Sequence, residues 1–168
     1  MNELNKTLRD SAIALGLCKQ WQADWNKDWD VDKMADKFWQ GINFCVKNHY
    51  PDKDFIVNTF DKKTLRSKCI IADDKYSLLN PSQALIIGNS QSTIRYNALA
   101  SGRIHIQHDS VVTLTAKGRS RVIAHVWDHA HLSVQRQDMA RVLVVLHSPY
   151  AFVTHDGDIE VKQRFGND

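Results

Sequence analysis

The chain has 168 residues, 43% of them apolar and 24% charged, with a formal net charge of +3. That length supports one domain or two small ones around a core, and the composition excludes a disordered tail and a polyelectrolyte. No stretch approaches the ~18 apolar residues of a membrane-spanning helix, and Cys18, Cys45 and Cys69 lack the paired spacings of a zinc site or disulfide framework.

The start, Met1 to Asp10, carries Glu3, Lys6, Arg9 and Asp10 where a secretory signal has an apolar run, and with no paired cysteines the expected setting is a reduced cytoplasm, away from any membrane. Leu4, Leu8, Ile13 and Leu15 follow helical spacing from Asn2 to Leu15, and Gly16 suits a left-handed stop. Trp21, Trp25 and Trp29 are four apart, which places successive indoles along one side of a second helix. Asp30 or Asp32 can cap a third helix over Val31 to Lys47, with Met34, Phe38, Ile42 and Cys45 on its stripe, and Pro51 lies at or beyond its end. A short helix with Phe55, Ile56 and Phe60 follows Asp54. Lys62, Lys63, Arg66 and Lys68 form a short basic cluster flanked by Asp61 and Asp73, too small for a nucleic-acid footprint. Residues 69–72 and 76–79 then read as a hairpin turning at Asp73 and Asp74.

From Ser82 a small residue recurs at Ser92, Gly102, Ser110, Ser120, Ala130, Ala140 and Ala151. An apolar residue follows two positions later: Ala84, Ile94, Ile104, Val112, Val122, Leu132, Val142 and Val153. Alternation of this kind describes a short strand with one inward face, and Gly88-Asn89, His108-Asp109, Gly118, Asp128, Asp138 and Ser148 supply the corners. A ten-residue rung is too short to circle a core, so two rungs make one coil of a flattened, two-walled solenoid, with Gly157, Ile159 and Val161 in a last partial rung. The expected fold is α+β: a helical cap over 1–68, a linking hairpin over 69–81 and a β-solenoid over 82–164.

Successive rungs alternate walls. One wall is expected to carry Arg103, Arg121 and Arg141 in a row beside His105, and the other Thr93, Val111 and His131 beside Arg95, Thr113, Ser133 and Thr154. Guanidinium forks in a row pair with phosphates or carboxylates, and stacked like charges repel unless neutralised, so Arg103, Arg121, Arg141 and His105 are candidate binding residues. Trp21, Trp25 and Trp29 are candidates as an exposed anchor row, against the alternative that they fill a core. Seven of the eight histidines follow residue 100, but only His129 and His131 lie close on one side of a strand, and no metal site is assigned. No glycine-rich phosphate loop, GxSxG elbow or HExxH occurs; no catalytic residue or cofactor is assigned and a non-enzymatic protein is expected. A threonine ladder for ice binding is broken by His131, Ser133 and Gln135.

Leu17-Cys18 with Trp21, Phe44-Cys45 to Tyr50-Pro51 with Phe55-Ile56, Asn80-Pro81 and the small-x-Val-x-apolar-x-x-x-Asp rungs together carry a family resemblance. The layout resembles that of short, uncharacterised bacteriophage and mobile-element proteins with a helical start and a run of β-solenoid rungs. The chain departs from them in its sparse aromatic rung residues and its Arg- and His-rich walls. The resemblance implies an accessory protein that binds a host protein, with inhibition of a host defence such as a CRISPR nuclease as an extension; it transfers no site residue. Nucleic-acid binding through the arginine wall, a small polysaccharide-acting enzyme and a homodimer through a solenoid edge are the alternatives.

Overall fold

The computed structural model describes residues 3–25 and 28–165. The chain divides into two compact units, Met1–Asn58 and Thr59–Asp168.

The first unit is helical. Helix α1 (Glu3–Ala14) buries Leu8 and Ala12 and stops at Gly16, whose φ of 88° is open to glycine at little cost; its expected first residue, Asn2, lies outside the described residues. The Tyr50 hydroxyl donates to the Leu8 carbonyl at 2.8 Å, tying the unit's far end to α1. The expected tryptophan helix is not one helix. Helix α2 spans only Lys19–Asp24, Trp25 turns extended (φ −69°, ψ 114°), and Trp29 precedes the cap of α3 (Val31–Gln40). Asp30 is that cap, accepting from the Lys33 N–H at 2.8 Å. The single helix expected over Val31 to Lys47 breaks at Gly41 (φ −96°, ψ 17°), and Ile42–Lys47 forms a separate α4. Glycine is the weakest helix former after proline, and the Trp21 ring lies against this one, 3.5 Å from where a Cβ would stand. Helix α5 (Lys53–Thr59) is capped by Asp52 rather than begun at Asp54: the Asp52 carboxylate accepts from the Asp54 and Phe55 N–H groups.

The second unit opens with α6 (Lys62–Ser67), capped by Asp61. Among the described residues eleven strands follow: β1 (Ile70–Ala72), β2 (Lys75–Leu79), β3 (Gln83–Ile87), β4 (Gln91–Tyr96), β5 (Ser101–Ile106), β6 (Val111–Ala116), β7 (Arg121–Val126), β8 (His131–Arg136), β9 (Arg141–Leu146), β10 (Phe152–Asp156) and β11 (Glu160–Gln163). Odd strands form one parallel sheet and even strands another, which is the two-walled solenoid that the rung pattern predicts. The expected hairpin is corrected. Strands β1 and β2 do not pair with each other; β1 pairs with β3 and β2 with β4, so 69–81 is the first coil of the solenoid rather than a link to it. A turn of two acids between two short apolar runs reads locally as a hairpin, but the next coil offers each strand a parallel neighbour.

Inward columns are dry. Ile104, Ala124 and Val144 stack in one wall and Ile94, Leu114 and Val134 in the other, all buried. Val112, Val122, Leu132 and Val142 point inward as expected, each contributing about 1.5–3 kcal/mol through burial.

The phase of the early rungs is a second correction. Pairing advances by 20 residues per coil, Ser92↔Val112↔Leu132 and Gly102↔Val122↔Val142. The corner partners of Ser110 and Ser120 are therefore Ser90, which is buried, and Ala100, which is half-buried, not Ser92 and Gly102. Ser92 and Gly102 stand within strands, facing the core. Gly102 lies where a Cβ would collide with the Tyr96 hydroxyl and the Pro81 carbonyl, which are themselves hydrogen-bonded at 2.7 Å.

Candidate functional site

The register decides which outward side chains are neighbours. On the odd-strand wall, Ser101, Arg121 and Arg141 share a column, whereas Arg103 aligns with Gln83 and Ile123. The expected row Arg103–Arg121–Arg141 is thus not a row: Arg121 and Arg141 are direct neighbours and Arg103 is one column over on the same face. The two-residue phase error moved it along the strand without turning it to the other side, because strand side chains alternate with period two.

His105 aligns with His125 one coil later, their rings stacked 4.8 Å apart at 9°. His147 joins from the adjoining column, its Nε2 2.9 Å from the His125 Nδ1, and lies flat on Trp127 with 3.8 Å between ring centroids. His125, His147 and Trp127 were not singled out from the sequence, and their only signal is separation by 20 and 22 residues once the coil length is known. The three imidazoles form a file along the wall rather than a ring around a point. Burial pushes the His105 imidazole down to about 3 and that of His125 to about 4, helped by mutual repulsion and by Arg103. Their neutral forms are therefore the stable ones. Leu85, Ile87, His105 and Gln107 are outward-facing yet buried, so this part of the wall presents little free surface.

The even-strand wall is different. Ser77, Thr93, Thr113, Ser133 and Thr154 fall in one unbroken outward column, a hydroxyl on each of five strands. Beside it runs Gln91, Val111, His131 and Phe152, with Val111 43% and Phe152 57% exposed. On the other side stand Leu79, Arg95, Thr115 and Gln135. The sequence placed these residues on one wall but interleaved the columns wrongly, setting Thr93 with Val111 and His131. Charge is confined to the margin: Lys75, Arg95 and Asp156.

The tryptophans sit together within the helical unit although no single helix carries them. Trp25 and Trp29 rings are 5.3 Å apart, and the Lys37 ammonium lies 5.3 Å from the Trp21 ring and 5.5 Å from the Trp29 ring. The Trp25 indole N–H donates to the Asn5 side chain. All three are half-buried, packed as core of that unit more than displayed as a row. Two members of the basic cluster, Arg66 and Lys62, pair internally. Arg66 grips Asp74 with two hydrogen bonds of 2.7 and 2.9 Å, Lys62 reaches the same carboxylate at 3.4 Å, and the Arg66 hydrogen bonds hold Asp74 below the usual carboxylate range.

No helix among the described residues is long and apolar enough to cross a membrane. No protein-family model, curated protein or solved structure matches the chain.

Proposed function

We propose that this chain is a non-enzymatic binding protein whose even-strand solenoid wall docks on another protein. The observation that carries the reading is the register of that wall: five hydroxyls in file, flanked by exposed Val111 and Phe152, on a sheet whose strand spacing is held by a filled core. A surface with an uncharged hydroxyl file at its centre, exposed aliphatic and aromatic side chains in the column beside it and charges only in the outer columns is depleted of charge at its middle, as protein interfaces are. A rigid sheet also loses little entropy on binding. A phosphate-binding surface needs clustered cations instead, and Arg121 and Arg141 are the one directly stacked pair among the candidate arginines. The resemblance to phage and mobile-element proteins makes the partner a host protein in the bacterial cytoplasm, and inhibition of a defence nuclease is the role we propose for that contact.

The test is capture from bacterial lysate by the full chain and by Thr113→Lys, which places a cation in the middle of the hydroxyl file. A single stoichiometric protein recovered by the parent and lost with Thr113→Lys supports the reading. Equal recovery by both, or recovery of chaperones alone, ends it. Retention of nucleic acid that weakens steeply with salt and disappears in the triple variant Arg103→Ala, Arg121→Ala, Arg141→Ala moves the function to the other wall.

A further inference from the structure

The solenoid has two ends, and they are finished differently. At the first coil, α6 packs on β1, and the Arg66 guanidinium lies 4.6 Å from the Tyr76 ring. At the last coil, β10 and β11 are each bonded on one side only, to β8 and β9. Val161 faces inward, continuing the Ala124–Val144 column, yet is 40% exposed, and Val153 and Ile159 are only half-buried. The dry interior therefore reaches the surface at this end.

Backbone polarity shows which groups are free there. The outward residues Arg141, His147 and Arg164 donate their N–H groups back to the preceding coil, at Ser120, Val126 and Leu146. In a parallel ladder the intervening inward residues serve the following coil. Among the described residues β11 is the last strand of its sheet, so the N–H and C=O groups of its inward residues Val161 and Gln163 have no strand beside them there, an edge that invites strand addition.

The charges along that edge select the occupant. Within β11 the outward side chains are Glu160 and Lys162, and strand alternation carried two residues beyond each sets Asp158 and Arg164 on the same side. If a second β11 lies antiparallel with Val161 opposite Val161, Glu160 faces Lys162 of the other copy and Asp158 faces Arg164, twice over by symmetry. Pairing centred on Ile159 sets Asp158 against Glu160, and pairing centred on Gln163 sets Lys162 against Arg164; both are repulsive. The Val161 register is also the one in which each Val161 can exchange both backbone hydrogen bonds with its mate. Within one chain, Glu160 and Lys162 already lie 3.0 Å apart, so pairing would merge two ion pairs into a network of four.

The geometry points to an isologous dimer of this chain, end to end, with the two copies of β11 antiparallel about Val161 and the odd-strand sheets continuous across the two-fold axis. The pairing uses the strand edge and not the outward face of the even-strand wall, so this association and the docking reading stand or fall separately.

Sedimentation of the full chain over a range of concentrations tests it, with circular dichroism confirming the fold of each variant. The parent is expected to dimerise. Glu160→Lys alone and Lys162→Glu alone each turn two attractive pairs into two repulsive ones and should raise the dimer Kd about tenfold. The doubly exchanged chain, and an equimolar mixture of the two single variants, should both recover the parent's affinity, because each restores opposite charges across the axis. A parent that stays monomeric at the highest concentration overturns the proposal. So does a dimer that either single variant leaves intact, or one that neither exchange restores.

Discussion

The Asp138 carboxylate accepts a hydrogen bond of 2.9 Å from the backbone N–H of Gly118, one coil earlier in the same corner column. The relation recurs in the neighbouring column, where Asp128 accepts from the His108 N–H at 2.8 Å and the His108 Nδ1 accepts from the Gly88 N–H at 3.2 Å. Each of these corner residues has a positive φ, between 53° and 75°. A left-handed corner turns its N–H away from the sheet ladder, and the side chain of the next coil supplies the acceptor. Asp138→Ala is expected to cost about 1 kcal/mol in urea unfolding, and Asp138→Asn much less, since it keeps both the acceptor and tolerance of the left-handed region.

Gly118→Ala should destabilise by about 1–2 kcal/mol: φ is 67°, and a Cβ would stand 3.0 Å from the Ala98 N and O atoms. Thermal unfolding of Gly118→Ala beside Asp138→Ala separates backbone strain from the lost hydrogen bond. Equal stability of Gly118→Ala and the parent would contradict the corner geometry.

Gly102→Ala is expected to cost more than Tyr96→Phe. The latter removes one buried hydrogen bond, from the Tyr96 hydroxyl to the Pro81 carbonyl, at about 1–3 kcal/mol. The former pushes a methyl group into both partners at once, displacing the largest fully buried side chain of the solenoid. Chemical unfolding of both variants reads the order directly.

Mild acid should loosen the solenoid. His105 and His125 titrate near 3 and 4 in the folded chain, against an ordinary value of 6.5. A depressed histidine favours the neutral form, so its contribution is complete above about pH 6.5 and declines as the pH falls toward 3. Arg103, Arg164 and His147 face the same file and add to the penalty of charging it. Asp74, held low chiefly by Arg66, contributes in the same direction but only within and below the carboxylate range. The double variant His105→Leu, His125→Leu should flatten the stability profile between pH 6.5 and 4.5 in urea titrations, while Asp74→Asn should leave that interval unchanged. An unaltered slope in the histidine variant would refute the account.

Inward and outward positions were legible in the sequence because a strand's side chains alternate strictly. An alignment error of two residues kept Ile94, Ile104, Val112 and Val122 on the core side and Arg103, Arg121 and Thr113 on the solvent side. The same error displaced every column above Ser110, and binding surfaces are made of columns. Arg103 left the arginine row for that reason, and the hydroxyl file from Ser77 to Thr154 went unseen. His125, His147 and Trp127 share the cause: their contact depends on a 20-residue advance fixed by coil-to-coil hydrogen bonding. In the helical unit, capping by Asp30 was readable from the residue itself, but the break at Gly41 and the end of α2 before Trp25 were not, since short-range periodicity continues through both. Local alternation and turn chemistry determined that this protein is a two-walled solenoid preceded by helices. Register between coils decided what its walls display, because backbone pairing between coils is a long-range choice that no ten-residue window contains.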